Sequence, residues 1–140
     1  MKAVVLAGGF GTRIQPLTHS IPKPMLPVVN RPIMEHVLER VKSAGITEVV
    51  VLLYHQAEVI KDYFKDGKEF GVSITYVQPE RDFGTAGAVK QAEEHLNETF
   101  LVISGDLITD FELQELITFH KAKGSKVTLG LYSVENPLQF

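Results

Sequence analysis

Apolar positions along this chain follow two rhythms, and the rhythms alternate. Residues 2–7 (KAVVLA) form a short apolar run that ends at glycines, and 48–54 (EVVVLLY) is continuously apolar and β-branched, as a strand covered on both faces should be. Runs at 73–78 (SITYVQ), 99–104 (TFLVIS) and 126–132 (KVTLGLY) complete five predicted strands. Between the first two, Ile33, Met34, Val37, Leu38 and Val41 recur at helical spacing. They predict a helix capped by Asn30, with Pro32 near its first position, that runs to about Ser43 and stops at Gly45. A second helix over 57–64 turns Val59, Ile60, Tyr63 and Phe64 inward, and a third, from about Thr85 to Leu96, packs through Ala88, Val89 and Ala92. A fourth, capped by Asp110, reaches about Lys123.

Such alternation with short links predicts an α/β fold, an open and mostly parallel sheet with helices on both faces. Ligands of these sheets bind outside the carboxyl ends of the strands, near the point where strand order reverses. Three segments are thereby selected: the glycines after the first strand, residues 78–87 after the third, and Asp106 after the fourth.

Composition narrows the chemistry. The 140 residues suit one domain with its own core, and 44% hydrophobic with 22% charged residues is ordinary for a globular protein. A net charge of −3 points to neither nucleic acid nor an anionic membrane as partner, so any bound anion must be held by a few placed groups. Cysteine is absent, which removes disulfides, thiolate metal sites and thiol nucleophiles and agrees with a cytoplasmic location. The apolar run at 3–7 is too short for a signal-peptide core or a membrane span. Histidines 19, 36, 55, 95 and 120 show no metal-ligand spacing.

The stretch 6–28, LAGGFGTRIQPLTHSIPKPMLPV, concentrates what chemistry there is. Glycines let backbone approach a ligand and let successive N–H groups face one concavity, which suits phosphate, although glycines alone more often mark a plain turn. It is not a Walker A loop, because Gly11 is followed by Thr12-Arg13 where Lys and then Ser or Thr are required. It is not the dinucleotide fingerprint either, since Ile14 stands where a third Gly or Ala belongs and Pro16 interrupts any helix. Arg13 offers a planar fork for phosphate, and Lys23 a compact charge whose place is partly set by Pro22 and Pro24.

Leu6-Ala7-Gly8-Gly9-Phe10-Gly11-Thr12-Arg13, then Pro16-Leu17-Thr18 and Pro22-Lys23-Pro24-Met25-Leu26-Pro27-Val28, closely resemble the signature of the sugar-1-phosphate nucleotidylyltransferases. Gln78-Pro79, Gly84-Thr85-Ala86-Gly87 and Ser104-Gly105-Asp106 follow in the family's order, so the resemblance covers the whole chain. Within the family, GTAGAV and LVISGDLITDF look most like mannose-1-phosphate guanylyltransferases. The resemblance implies the N-terminal portion of a Rossmann-like nucleotide-diphospho-sugar transferase fold. It implies an enzyme that joins a nucleoside triphosphate, GTP favoured, to a sugar 1-phosphate, mannose 1-phosphate favoured, releasing pyrophosphate. The nucleophile there needs no general base, because a phosphate monoester with second pKa near about 6 is already largely dianionic at neutral pH.

By the same resemblance, Leu6, Ala7, Gly8, Gly9, Gly11 and Thr12 hold nucleoside and phosphates, and Arg13 grips the β- and γ-phosphates. Lys23 stands against the α-phosphate and the incoming sugar phosphate, and Asp106 binds Mg²⁺. Gln78 reads the base edge, Gly84 lets the chain pass close to the base, and Thr85 joins them at the start of its helix. Family catalytic domains run on past this length. The chain stops at SVENPLQF, where the resemblance would pass into the sugar-binding half, so residues 1–140 read as the nucleotide half alone. The sheet edge beyond the strand at 126–132 is then left bare, predicting either a homo-oligomer or a marginal monomer. Three alternatives stand beside this reading. They are a thymidylyl- or uridylyltransferase, a non-catalytic nucleotide-binding regulatory domain, and an NAD-dependent oxidoreductase. The last lacks the third glycine, and it has Tyr54-His55-Gln56 where an acid should follow the second strand.

Overall fold

A computed structural model of the chain describes residues 1–134; most of the SVENPLQF stretch lies outside the described residues. Two units are distinguished, Met1–Asp110 and Phe111–Phe140. In the first, β1 (Lys2–Leu6) is followed by a short hairpin of β2 (Pro27–Val28) and β3 (Arg31–Pro32), then α1 (Ile33–Ser43) and β4 (Glu48–Leu52). After these come α2 (Ala57–Phe64), β5 (Ser73–Val77), α3 (Gly84–Gln91) and β6 (Phe100–Ser104). The second unit contributes α4 (Leu113–Lys123).

Four strands make one parallel sheet in the order β5-β4-β1-β6. Steps from β1 to β4 and from β4 to β5 run one way across the sheet, and right-handed crossovers then put α1 and α2 on one face. The return from β5 past β4 and β1 to β6 puts α3 on the other. Burial agrees. Val4, Val50 and Leu52 are buried with Ala92 beside α3, and Val77, Ala88 and Val89 pack against them. The alternate residues Ala3, Val5, Val49 and Val51 are at most 1% exposed, so the opposite face is covered too. Phe64, Met34, Leu38 and Ile60 from α1 and α2 are among the largest fully buried side chains, each worth about 1.5–3 kcal/mol of apolar burial. Strand order reverses at β1, between its neighbours β4 and β6, which places the switch point at the carboxyl ends of β1 and β6.

Helix α1 ends as its glycine predicts. Gly45 adopts φ +78°, its N–H donates to the Lys42 carbonyl at 2.9 Å, and the Ile46 N–H donates to the Val41 carbonyl at 3.2 Å. This paired 5→2 and 6→1 pattern, with Val41 and Ile46 both buried, closes the last turn. Its start differs from expectation. Asn30 is not the cap, because Pro32 holds that position. Val29 and Asn30 have φ of 51° and 60° and form the two-residue turn between β2 and β3, a conformation that asparagine tolerates well. His36 Nε2 lies 2.9 Å from the Val28 carbonyl oxygen, fastening the hairpin to α1.

Three further expectations are corrected. Helix α3 begins at Gly84 and ends at Gln91, after which Glu93–His95 is a separate 3₁₀ turn. Asp110 does not cap α4, whose N-cap is Glu112; the helix starts where Leu113 and Ile117, both 7% exposed, bury its first turn. Residues 126–132 are not a strand. Val127, Leu129, Leu131 and Tyr132 are 74%, 73%, 82% and 90% exposed. Alternating β-branched residues suit a strand, but a strand exists only where a neighbour completes its hydrogen bonds. The bare edge expected beyond it therefore does not form. Among the described residues no helix is long and apolar enough to cross a membrane.

Candidate active site

The end of β1 is held from both sides. The Ala7 N–H donates to the Leu52 carbonyl at 2.9 Å, and the Gly105 N–H donates to the Leu6 carbonyl at 2.8 Å. Gly8 then passes so close to the end of β4 that a Cβ would stand 3.0 Å from Tyr54 Cβ and 3.1 Å from Tyr54 N. Phe10 leans edge-on against Tyr54, ring centroids 5.7 Å apart, and lies 5.1 Å from the His55 ring. At the far shoulder Gly11 is left-handed, φ +63°, and the buried Thr18 hydroxyl donates to its carbonyl at 2.8 Å. The loop is thus pinned at its ends. Yet among the described residues the N–H groups of Gly8, Gly9, Phe10, Gly11 and Thr12 donate to nothing in the protein. Consecutive free amides in a fixed loop are a ready seat for an anion.

This loop borders a cavity of about 360 Å³ at the carboxyl ends of all four strands. Opposite it, a 3₁₀ turn over Lys23–Met25 follows Pro22, the Met25 N–H donating to the Pro22 carbonyl at 2.8 Å, while Pro24 is buried. The turn delivers Lys23 Nζ to within 2.7 Å of Asp106 Oδ2, each side chain about one third exposed. Asp106 reaches that spot because Gly105 lets β6 pass close beside β1. A lysine and a carboxylate therefore meet at the switch point.

The cavity brings together Leu6, Ala7, Gly8, Gly9, Gly11, Lys23, Gly84, Thr85 and Asp106 of the residues selected from sequence. Thr12, Arg13 and Gln78 are not in its lining. Arg13 is exposed in the 3₁₀ turn Thr12–Ile14. Gln78 is exposed just after β5, and its Oε1 accepts from Lys61 Nζ at 2.8 Å, the same ammonium that meets Glu58 at 2.8 Å. Tyr54 also lines the cavity, as do Pro79, Arg81, Asp82 and Phe83 of the segment 78–87 selected from sequence. Tyr54 was legible: the end of the second strand obeys the same rule as the other three, and only the first, third and fourth were selected. The Arg81 guanidinium lies 4.7 Å from the centre of the Phe83 ring, and Asp82 Oδ1 accepts the Gly84 N–H at 2.8 Å to open α3. Neither contact has a sequence signature beyond residue type.

Among the described residues no three His, Cys, Asp or Glu side chains gather as a metal cage. The carboxylates that line the cavity are Asp106 and Asp82. That set does not suit a protein-enclosed ion, but it does suit Mg²⁺, which binds through one or two carboxylates and completes its shell with phosphate oxygens and water.

An open parallel α/β sheet with a free-amide loop and a Lys–Asp pair at its switch point defines a Rossmann-like domain. Comparison with known proteins gives the family: the nucleotidyl transferase model matches residues 2–140, and the chain belongs to that family. It is 40% identical to mannose-1-phosphate guanyltransferase 2 of Candida glabrata, covering 100% of this chain and 40% of that protein. It is 39% identical to the UTP–glucose-1-phosphate uridylyltransferase of Synechocystis, over 92% of this chain and 36% of the other. Among solved structures it resembles HddC from Yersinia pseudotuberculosis complexed with GMP-PN. The TM-score is 0.76 at 27% identity, over 85% of this chain and 53% of that one. The chain spans about 40% of the length of the guanylyltransferases it matches.

Proposed function

We propose that this chain is the nucleotide-binding part of a sugar-1-phosphate nucleotidyltransferase that joins GTP to mannose 1-phosphate, giving an NDP-sugar and pyrophosphate. The observation that carries the reading is the 2.7 Å Lys23–Asp106 pair beside five unused amides at the switch point. The free N–H groups of the glycine loop receive the triphosphate, and Arg13, at the outer side of that loop, turns in to the β- and γ-phosphates. Lys23 neutralises the α-phosphate and the arriving sugar phosphate, two anions that would otherwise repel. A sugar phosphate oxygen forms the new bond to the α-phosphorus while the bond to pyrophosphate breaks. No side chain need remove a proton, so catalysis rests on orientation and charge. Asp106 would hold Mg²⁺, which when bound supplies further neutralisation of phosphate charge.

The guanylyltransferase relatives support GTP, and the Synechocystis relative supports a second reading, UTP and glucose 1-phosphate. Calorimetric titration of GTP, UTP, dTTP, CTP and ATP, each with and without Mg²⁺, separates them. Binding of one triphosphate that Mg²⁺ tightens and Arg13→Ala abolishes is the expected outcome. Failure of every triphosphate to bind would overturn the proposal.

A further inference from the structure

Two carboxylates line the cavity, and they are not equivalent. Asp106 is committed to Lys23. Asp82 is held by a backbone contact through one oxygen, Oδ1, which accepts the Gly84 N–H at 2.8 Å. Its second oxygen has no partner among the described residues. The neighbouring cation does not neutralise it, because the Arg81 guanidinium lies over the Phe83 ring at 4.7 Å. The cavity therefore holds a fixed carboxylate with spare acceptor capacity, beside the apolar surfaces of Leu6, Leu52, Leu53 and Ala88. Gln78, the amide selected from sequence to read a base, is outside the lining and occupied by Lys61.

Resting on the nucleotidyltransferase reading, we infer that Asp82 is the residue that selects the base, and that it selects guanine. The pairing edge of guanine presents two adjacent donors, the ring N–H and the exocyclic amine, which one carboxylate accepts together. Each oxygen has lone pairs for more than one donor, so the Gly84 contact survives. Uracil and thymine present one N–H between two carbonyl oxygens, and those oxygens face the carboxylate with like partial charge. Adenine and cytosine each present a ring nitrogen acceptor in that place. A carboxylate thus favours guanine over every other common base.

The test is Asp82→Asn, whose side-chain oxygen still accepts from Gly84 and keeps the start of α3. GTP and UTP are titrated with Mg²⁺ into the purified chain and the variant, with thermal melting as the check on folding. The wild type is expected to prefer GTP. The variant should lose about tenfold or more in GTP affinity while UTP changes less than about twofold, a discrimination of the size one bidentate base contact gives. Should Asp82→Asn melt early, Asp82→Ser retains an acceptor oxygen for the Gly84 N–H and carries the same expectation. Equal loss of both nucleotides overturns the inference, as does discrimination that vanishes in Gln78→Ala instead. A wild type that prefers UTP also overturns it, while leaving the nucleotidyltransferase reading intact. A wild type that binds no nucleotide overturns both.

Discussion

Gly105, just after β6, lies tight against the end of β1, and adding one methyl group there should push the two apart. A Cβ would stand 2.9 Å from Val5 Cγ1, 3.1 Å from the Leu6 carbonyl oxygen and 3.3 Å from Ala7 Cβ. The Val5 methyl belongs to a side chain that is 0% exposed, and the Leu6 oxygen is backbone already accepting from Gly105, so neither can yield cheaply. Overpacking of this kind costs about 1–3 kcal/mol. Taking about 2 kcal/mol, Gly105→Ala should lower the thermal midpoint by roughly 8 °C for a chain of this size. The urea midpoint should fall by about 1 M. Gly9→Ala is the control. Nothing lies within 4 Å of a Cβ at Gly9, and its φ is outside the left-handed region, so stability should stay within about 0.5 kcal/mol. The two variants should part company in opposite directions when nucleotide is added. Under the proposed function, the Gly9 methyl intrudes on the free amides and should weaken triphosphate binding in a stable protein, whereas Gly105→Ala loses stability first. If urea melts show Gly105→Ala no less stable than Gly9→Ala, the close passage of β1 and β6 is not what fixes this site.

Lys23→Met removes one partner of an ion pair about one third exposed, so the melting temperature should barely move, since such pairs contribute about 0–1 kcal/mol. Triphosphate affinity by calorimetry should fall at least about tenfold, and Asp106→Asn should abolish the part of that affinity that depends on Mg²⁺. Phe64 is 1% exposed and packs with Tyr63 and Phe70 at centroid distances of 4.9 Å each, so Phe64→Ala should cost about 3–5 kcal/mol in urea unfolding. Tyr76 Oη is buried without a hydrogen-bond partner, and burial pushes its phenol up to about 12 from 10.0. The unfolded chain loses this proton near pH 10.0 and the folded one only near 12, so stability falls as pH rises from 10.0 toward 12. Tyr76→Phe should therefore be neutral or stabilising at pH 7, and it should flatten the fall in stability measured above pH 10.0. A clear loss of stability at pH 7 would show that the hydroxyl has a partner.

Legibility in the sequence followed the range of the forces involved. EVVVLLY reads as a two-sided strand because both faces of β4 meet apolar layers, and the residues themselves carry that fact. Gly45 is similarly self-sufficient, since a helix end needs only its own last turn and one left-handed residue. Asn30 is the counter-example. It is a good cap by type, but a two-residue turn between β2 and β3 needs positive φ at both positions, and asparagine satisfies that demand as readily. KVTLGLY carries the same β-branched alternation as a real strand, and nothing within those seven residues reports whether a neighbour is present to bond them. At the site, backbone chemistry was readable and side-chain direction was not. The glycines and the Pro-Lys-Pro turn announce themselves, whereas Gln78 turning toward Lys61, or Arg81 lying over Phe83, depends on what happens to stand beside each residue.

Under the proposed function, the pairing of Lys23 with Asp106 explains how a chain of net charge −3 holds a triphosphate with few cations. Without ligand, each charge is the other's counterion, and neither is left alone in a partly enclosed cavity. Under the proposed function, a Mg²⁺–triphosphate complex offers both a replacement at once: metal for the carboxylate, phosphate for the ammonium. The exchange replaces the one ion pair in the cavity by two and adds the five loop amides, which were otherwise unsatisfied. A triphosphate without metal gives Lys23 a partner but leaves Asp106 facing like charge. Binding should for that reason be strongly coupled to Mg²⁺. Removing the carboxylate should make metal-free triphosphate bind better than it does to the wild type. Titration of GTP in EDTA against Asp106→Asn measures this directly, and an affinity no higher than that of the wild type would show that the pair does not act as an exchangeable counterion.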